Sequence, residues 1–183
     1  MNLRVVFAAL LGICTMASVR TMTTDASSIL SLIQATPALA IDSSVPPSAG
    51  YDAATQPYVK IAGAPEGTPG GYIDSAFATI GTLEDGTRVL AVPLESGGSG
   101  GVFTQIIFAQ TADAPTPSYV GYLSSGGHLR VDVGEHGIMA IFPLYGPNDP
   151  NCCPKKFEND LYAIAGGKLK LVEGKVTASN PRR

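Results

Sequence analysis

Tryptophan is absent from this chain, histidine occurs twice and cysteine three times. These scarcities exclude several kinds of chemistry. The two histidines are His128 and His136, and there is no Cys-x-x-Cys or His-Glu-x-x-His spacing, so the ligands of an ordinary zinc site are missing. No Gly-x-Ser-x-Gly stands ahead of a helical pattern, so a serine nucleophile has no recognisable setting. Beyond residue 40 no helical period outlasts two turns, no internal repeat stands out, and no window is long and apolar enough for a transmembrane helix. The sequence therefore assigns no catalytic residue, no metal ligand and no cofactor.

Basic charge is scarce through most of the chain. From Ile41 to Pro154 there are three basic and eleven acidic residues, and from Lys155 onward seven basic and three acidic. An acidic body lacks the basic footprint that nucleic acid requires, so no nucleic acid partner is expected. The basic end (Lys155, Lys156, Lys168, Lys170, Lys175, Arg182 and Arg183) reads as a solvated edge strand and a basic tail over 176–183.

Residues 1–40 read as a cleavable export signal: Arg4, an apolar run from Val5 to Ala17, then Ala38-Leu39-Ala40 after Pro37. The run is too short to span a bilayer, so the mature chain is expected to carry no transmembrane anchor. Cleavage is expected after Ala40, with Ile41 as the new N-terminus. Arg20 and Asp25 interrupt the pattern; an earlier cut near Ala17 is the second reading, and an uncleaved N-terminal membrane anchor is the third. Cys14 follows Ile13 rather than a small residue, so it does not read as a lipidation site.

Residues 41–71 are rich in proline, glycine and serine and read as a flexible leader, with one short strand at Tyr58–Ile61. Residues 72–175 read as a β domain: strands at Tyr72–Leu83, Arg88–Leu94, Val102–Gln110, Tyr119–Leu123, His128–Val133, Ile138–Tyr145, Leu161–Ala165 and Lys168–Val172. Asp85-Gly86 and Gly166-Gly167 mark hairpins, and Gly97–Gly101 is a hairpin loop without the Lys and Ser/Thr of a phosphate loop. Arg88–Leu94 and Val102–Gln110 are apolar on both alternating faces, as central strands are. In the strand at His128, residues Leu129, Val131 and Val133 are expected inward and His128, Arg130 and Asp132 outward; in the last strand Leu169 and Leu171 are expected inward. His128 and His136 read as surface histidines. The fold class is mainly β: an antiparallel meander forming one curled sheet or a small sandwich, with an α+β fold carrying a short helix as the alternative.

The unusual chemistry is the adjacent pair Cys152 and Cys153, set in Gly146-Pro147-Asn148-Asp149-Pro150-Asn151-Cys152-Cys153-Pro154. In an oxidising compartment such neighbours are expected to oxidise. Consecutive α-carbons about 3.8 Å apart are too close for an ordinary bridge, so the disulfide would be strained and readily reduced. A stiffening vicinal disulfide, two free thiols, and a redox or metal-binding pair all remain open. Pro147, Asn148, Asp149, Pro150 and Pro154 are the supporting loop, with Asn148, Asp149 and Asn151 expected to bond their own backbone.

This loop resembles that of the LppP/LprE family of bacterial envelope lipoproteins. The apolar strand Val89–Leu94, the loop Gly97–Gly100 and the strands Val102–Gln110 and His128–Val133 are similar too, so the resemblance covers about residues 72–172. Asn151 and Lys155 stand where relatives often carry Met and Thr, and the lipobox is missing. The resemblance implies a bacterial envelope location, secreted or periplasmic, without implying an activity. The expected function is a non-enzymatic binding or scaffolding domain with an envelope partner or ligand. A thiol-redox or metal-handling protein using Cys152 and Cys153 is the rival.

Overall fold

The computed structural model describes residues 22–98, 101–150 and 153–177. In chain order these form α1 (Ala26–Gln34), β1 (Leu39–Ile41), β2 (Tyr58–Ile61), β3 (Gly71–Ile73), a 3₁₀ turn (Ser75–Phe77), β4 (Thr79–Thr82), β5 (Arg88–Glu95), β6 (Val102–Gln110) and β7 (Ser118–Ser124). The remaining strands are β8 (Arg130–Gly134), β9 (Gly137–Leu144), β10 (Lys156–Ala165) and β11 (Lys168–Thr177). The fold is mainly β, as its alternation and turns imply. It has two antiparallel sheets, one of seven strands with the path β1-β2-β3-β5-β6-β7 and β4 also on β5, the other in the order β11-β10-β9-β8.

The central hairpin β5–β6 is buried on both faces. Leu90, Val92, Leu94, Ile106 and Phe108 enter one core, together with Ile29 and Ile33 of α1, Leu39 of β1, Val59 and Ile73. Val89, Ala91, Ile107 and Ala109 enter a second core against Val131, Ile138 and Ala140 of the other sheet. Period-2 alternation sends neighbouring residues to opposite faces, so a strand apolar at every position needs a cover on each side. The result is three layers: helix, large sheet, small sheet.

Several turns follow directly from local chemistry. Between β4 and β5, Thr87 N donates to Asp85 Oδ1 at 2.9 Å, and Gly86 takes φ +82°, as the Asp-Gly signal implies. Gly166 and Gly167 both lie at positive φ between β10 and β11.

Five expectations need correction. Residues 41–71 are built into the fold rather than forming a leader: β2 pairs with β1 and β3, Val59 is fully buried, and the Tyr51 and Tyr72 rings stack 4.7 Å apart. The tail of the expected signal is also structural. Asp25 caps α1, accepting from Ser28 N at 2.9 Å. Met22, Ile29, Ile33 and Leu39 are core residues, and Arg88 Nη2 donates to Met22 O at 2.9 Å. A cut after Ala40 would strip one cover from β5–β6; residues 1–21 lie outside the described residues. The strand expected over Tyr72–Leu83 is two strands broken by the 3₁₀ turn, because Asp74 caps that turn by accepting from Ala76 N at 3.1 Å. His128 precedes β8 rather than starting it, at φ +50°. Finally, Leu171 is 58% exposed on the outermost strand of its sheet rather than inward, although it shares a face with Leu169, which does pack on the second core.

Truncating Ile33 to Ala, a fully buried side chain between α1 and the sheet, is expected to cost about 2–5 kcal/mol in chemical denaturation. A chain starting at Ile41 should lose its cooperative transition, whereas one starting at Met22 should keep it. Equal transitions for the two truncations would refute the structural role of residues 22–40.

Candidate functional site

The cysteine loop joins β9 to β10, and Asp149 closes it. Its Oδ2 accepts from Gly146 N at 2.9 Å and from Lys155 N at 3.3 Å, while Oδ1 pairs with Lys155 Nζ at 3.4 Å. Asp149 N donates to Gly146 O at 3.1 Å, and Cys153 N donates to Pro150 O at 2.9 Å. One carboxylate thus ties both ends of the loop, as expected for an Asp bonding its own backbone. Pro147, Asn148, Pro150 and Cys153 are exposed, and Pro154 is half-buried. Asn151 and Cys152 lie outside the described residues. The Cys153 sulfur is not a free thiol. The Lys155 ammonium, the cation nearest in sequence that would favour a thiolate, is committed to Asp149. Among the described residues, no group of three or more His, Cys, Asp or Glu stands close enough to hold a metal ion.

A second feature lies at the same end of the small sheet, where β8 begins and β9 ends. It is a cleft of about 400 Å³ between the β5–β6 hairpin, the 3₁₀ turn and β8. Its wall includes Pro93, Glu95, Gln105, His128 and Arg130, with Phe77 at the rim. Pro93 stands opposite Gln105 in the sheet. It falls where β5 leaves β4 at Ala91 and has not yet reached β3 at Leu94. Its carbonyl accepts from Asp74 N at 3.1 Å, on the side facing the 3₁₀ turn. The missing N–H of proline would face the same way, so the sheet loses no bond between β5 and β6.

Buried polar atoms in this cleft that lack a hydrogen-bond partner include Gln105 Oε1 and His128 Nε2. Gln105 is 6% exposed. The His128 ring lies against the Gly101 backbone, where an added Cβ would sit 3.0 Å from Nδ1. Gly101 has φ +65°, so glycine is required there on both counts. Leaving a buried amide oxygen unpaired costs about 1–3 kcal/mol, and such sites call for an explanation. Left-handed backbone at a non-glycine residue such as His128 points the same way.

The far wall is acidic. Glu95 Oε2 accepts from the Tyr51 hydroxyl, whose pKa is raised by burial and then by that carboxylate. Asp74 is likewise raised, by burial first and then by Glu95. Arg130 and Asp132 line the cleft with interactions of their own.

No protein-family model, curated protein or solved structure matches the chain.

Sequence reasoning singled out the cysteine loop and passed over the cleft. His128, expected on a solvated strand face, is half-buried in it; His136 is exposed in the β8–β9 turn, as expected. Two signals mark the cleft in the sequence: a proline inside the apolar run Val89–Leu94 and a glutamine inside Val102–Gln110.

The Asp149 carboxyl is held below its usual range by the Gly146 amide and then by Lys155. A carboxyl depressed in the folded state stabilises its loop above the unfolded pKa, and that contribution is lost as pH falls through the folded value. The Gly146 amide resonance should therefore hold its position down to about pH 4 and move only below it. Asp149→Ala should loosen 146–155 at neutral pH, read as faster amide exchange of Gly146 and Lys155. An unchanged exchange rate would remove Asp149 as the closing group.

Proposed function

We propose that this chain is an exported bacterial envelope protein, akin to the LppP/LprE family, whose domain binds a ligand rather than transforming it. The observation that carries the binding reading is the cleft holding the buried, unpartnered polar atoms Gln105 Oε1 and His128 Nε2. A binding site needs convergent polar groups on a rigid frame, and β5, β6 and β8 supply that frame. An amide-detected screen of small polar fragments tests it. Responses should converge on Gly101, Val102, Gln105 and Leu129; responses scattered over the surface, or gathered at 146–154, would defeat the reading.

Export is proposed through a cut near Ala17. Met22 is already core, so only a cut ahead of it leaves both covers of β5–β6 in place. Cys152 and Cys153 are proposed to form a structural vicinal disulfide. The bonded state of Cys153 supports this, and so does Asp149, which closes the loop without help from the sulfurs. A disulfide spanning no intervening residues restricts the unfolded chain little, so the Cys152→Ser, Cys153→Ser double variant should lose only about 0–2 kcal/mol. Intact mass of the exported protein without reductant reads both claims. The expected species starts near Ser18 and lacks two hydrogens relative to the dithiol. A start at Ile41, or free thiols after aerobic purification, would overturn the respective claim.

A further inference from the structure

We infer that the cleft is a subsite for an uncharged sugar ring, with Phe77 as its stacking platform and Gln105 and His128 as the groups that engage its hydroxyls. This deepens the binding reading above and rests on it. Phe77 is 70% exposed although its backbone is fixed: Phe77 N donates to Asp74 O at 3.3 Å, and Asp74 N donates to Pro93 O at 3.1 Å. The next residue, Ala78, packs on the first core. A rigidly held aromatic face left open at the rim of a polar cleft is suited to an apolar face of a ligand.

The floor narrows the chemistry. Gln105 Oε1 can only accept, and its ligand must bring a donor. His128 Nε2 accepts or donates according to tautomer, and a hydroxyl satisfies either. An acyl chain would leave both atoms unpaired. Phosphate or another strong anion would meet Arg130 but also Glu95 and Asp132, and among the described lining residues the carboxylates outnumber the guanidinium. A cation would meet Glu95 and Asp132 but also Arg130, so both signs of charge face a like charge in the lining, and a pyranose suits it best: several hydroxyls, no net charge, and a C–H face for Phe77. The cleft volume of about 400 Å³ lies within the range of small-molecule sites.

The test is amide-detected titration of the full chain with cellobiose, maltose and N,N′-diacetylchitobiose, beside sodium phosphate and spermine. At least one disaccharide should shift Gly101, Val102 and Leu129 saturably. Phe77→Ala changes an exposed side chain and keeps the fold; it should weaken binding about fivefold. Gln105→Ala should weaken it about tenfold. If the sugars leave these amides unmoved while spermine or phosphate shifts them, the sugar assignment falls and the binding reading survives. If no probe shifts them and the fragment screen is also silent there, both fall. Sugar binding of full strength in both variants would overturn the assignment to these residues.

Discussion

The rest of the structure depends on the double-sided burial of β5 and β6. Leu90, Val92, Leu94, Ile106 and Phe108 face one way, and Val89, Ala91, Ile107 and Ala109 the other. No sheet can leave either set in water at about 25 cal/mol per Å² of apolar surface. The small sheet covers one face. The other is covered by a single nine-residue helix together with short pieces of strand. An isolated helix of that length is marginal in water, so α1 owes its existence to Ile29 and Ile33 docking on the sheet. The dependence is mutual, and it makes residues 22–41 part of the domain.

The cleft arises where coverage of β5 changes hands. β4 pairs with its first half and β3 with its end, and the 3₁₀ turn must bridge the gap between them. Proline fits at that point because the turn leaves a sheet N–H without use. The gap opens a view of Gln105 from outside, and the loop carrying His128 closes it from the small sheet. A polar pair is thereby held in a rigid frame with acidic walls, at a cost to stability that a purely structural residue at position 105 would not incur. The cysteine loop stands at the same end of the small sheet, so the two features that lack a folding rationale share one pole of the molecule.

Most strands were legible because glycine and Asp-Gly punctuation is local chemistry: β2 and β6 fall where the sequence puts them, and the β4–β5 and β10–β11 turns carry the expected glycines. The N-terminal segment was obscured by composition. Small residues around Pro37 give the pattern of a cleavage site, and beside them stand two signs of a packed helix. Asp25 ahead of a Ser-rich start is a cap, and Ile29 with Ile33 is a helical i, i+4 pair. The leader reading failed for another reason. Proline and glycine exclude helix but not strand edges or packed tyrosines, and Tyr51, Tyr58 and Tyr72 gather into one aromatic cluster across that segment. His128 was misplaced because alternation cannot reveal where a strand begins. The contact that sets its position, with Gly101, is 27 residues away in the chain.

The charge asymmetry has a structural origin in the small sheet. Three of the basic residues, Lys168, Lys170 and Lys175, sit on β11, an edge strand of the small sheet. That strand also exposes Leu171, Val172 and Val176, at 58%, 62% and 56%. An apolar edge with free backbone groups is a template for pairing with another chain. Lysines interleaved with those side chains charge the edge, and the register shift opposite Leu161 and Tyr162 twists it. Both effects raise the cost of a second strand docking there. Lys168, Lys170 and Lys175 are therefore accounted for by protection of an edge.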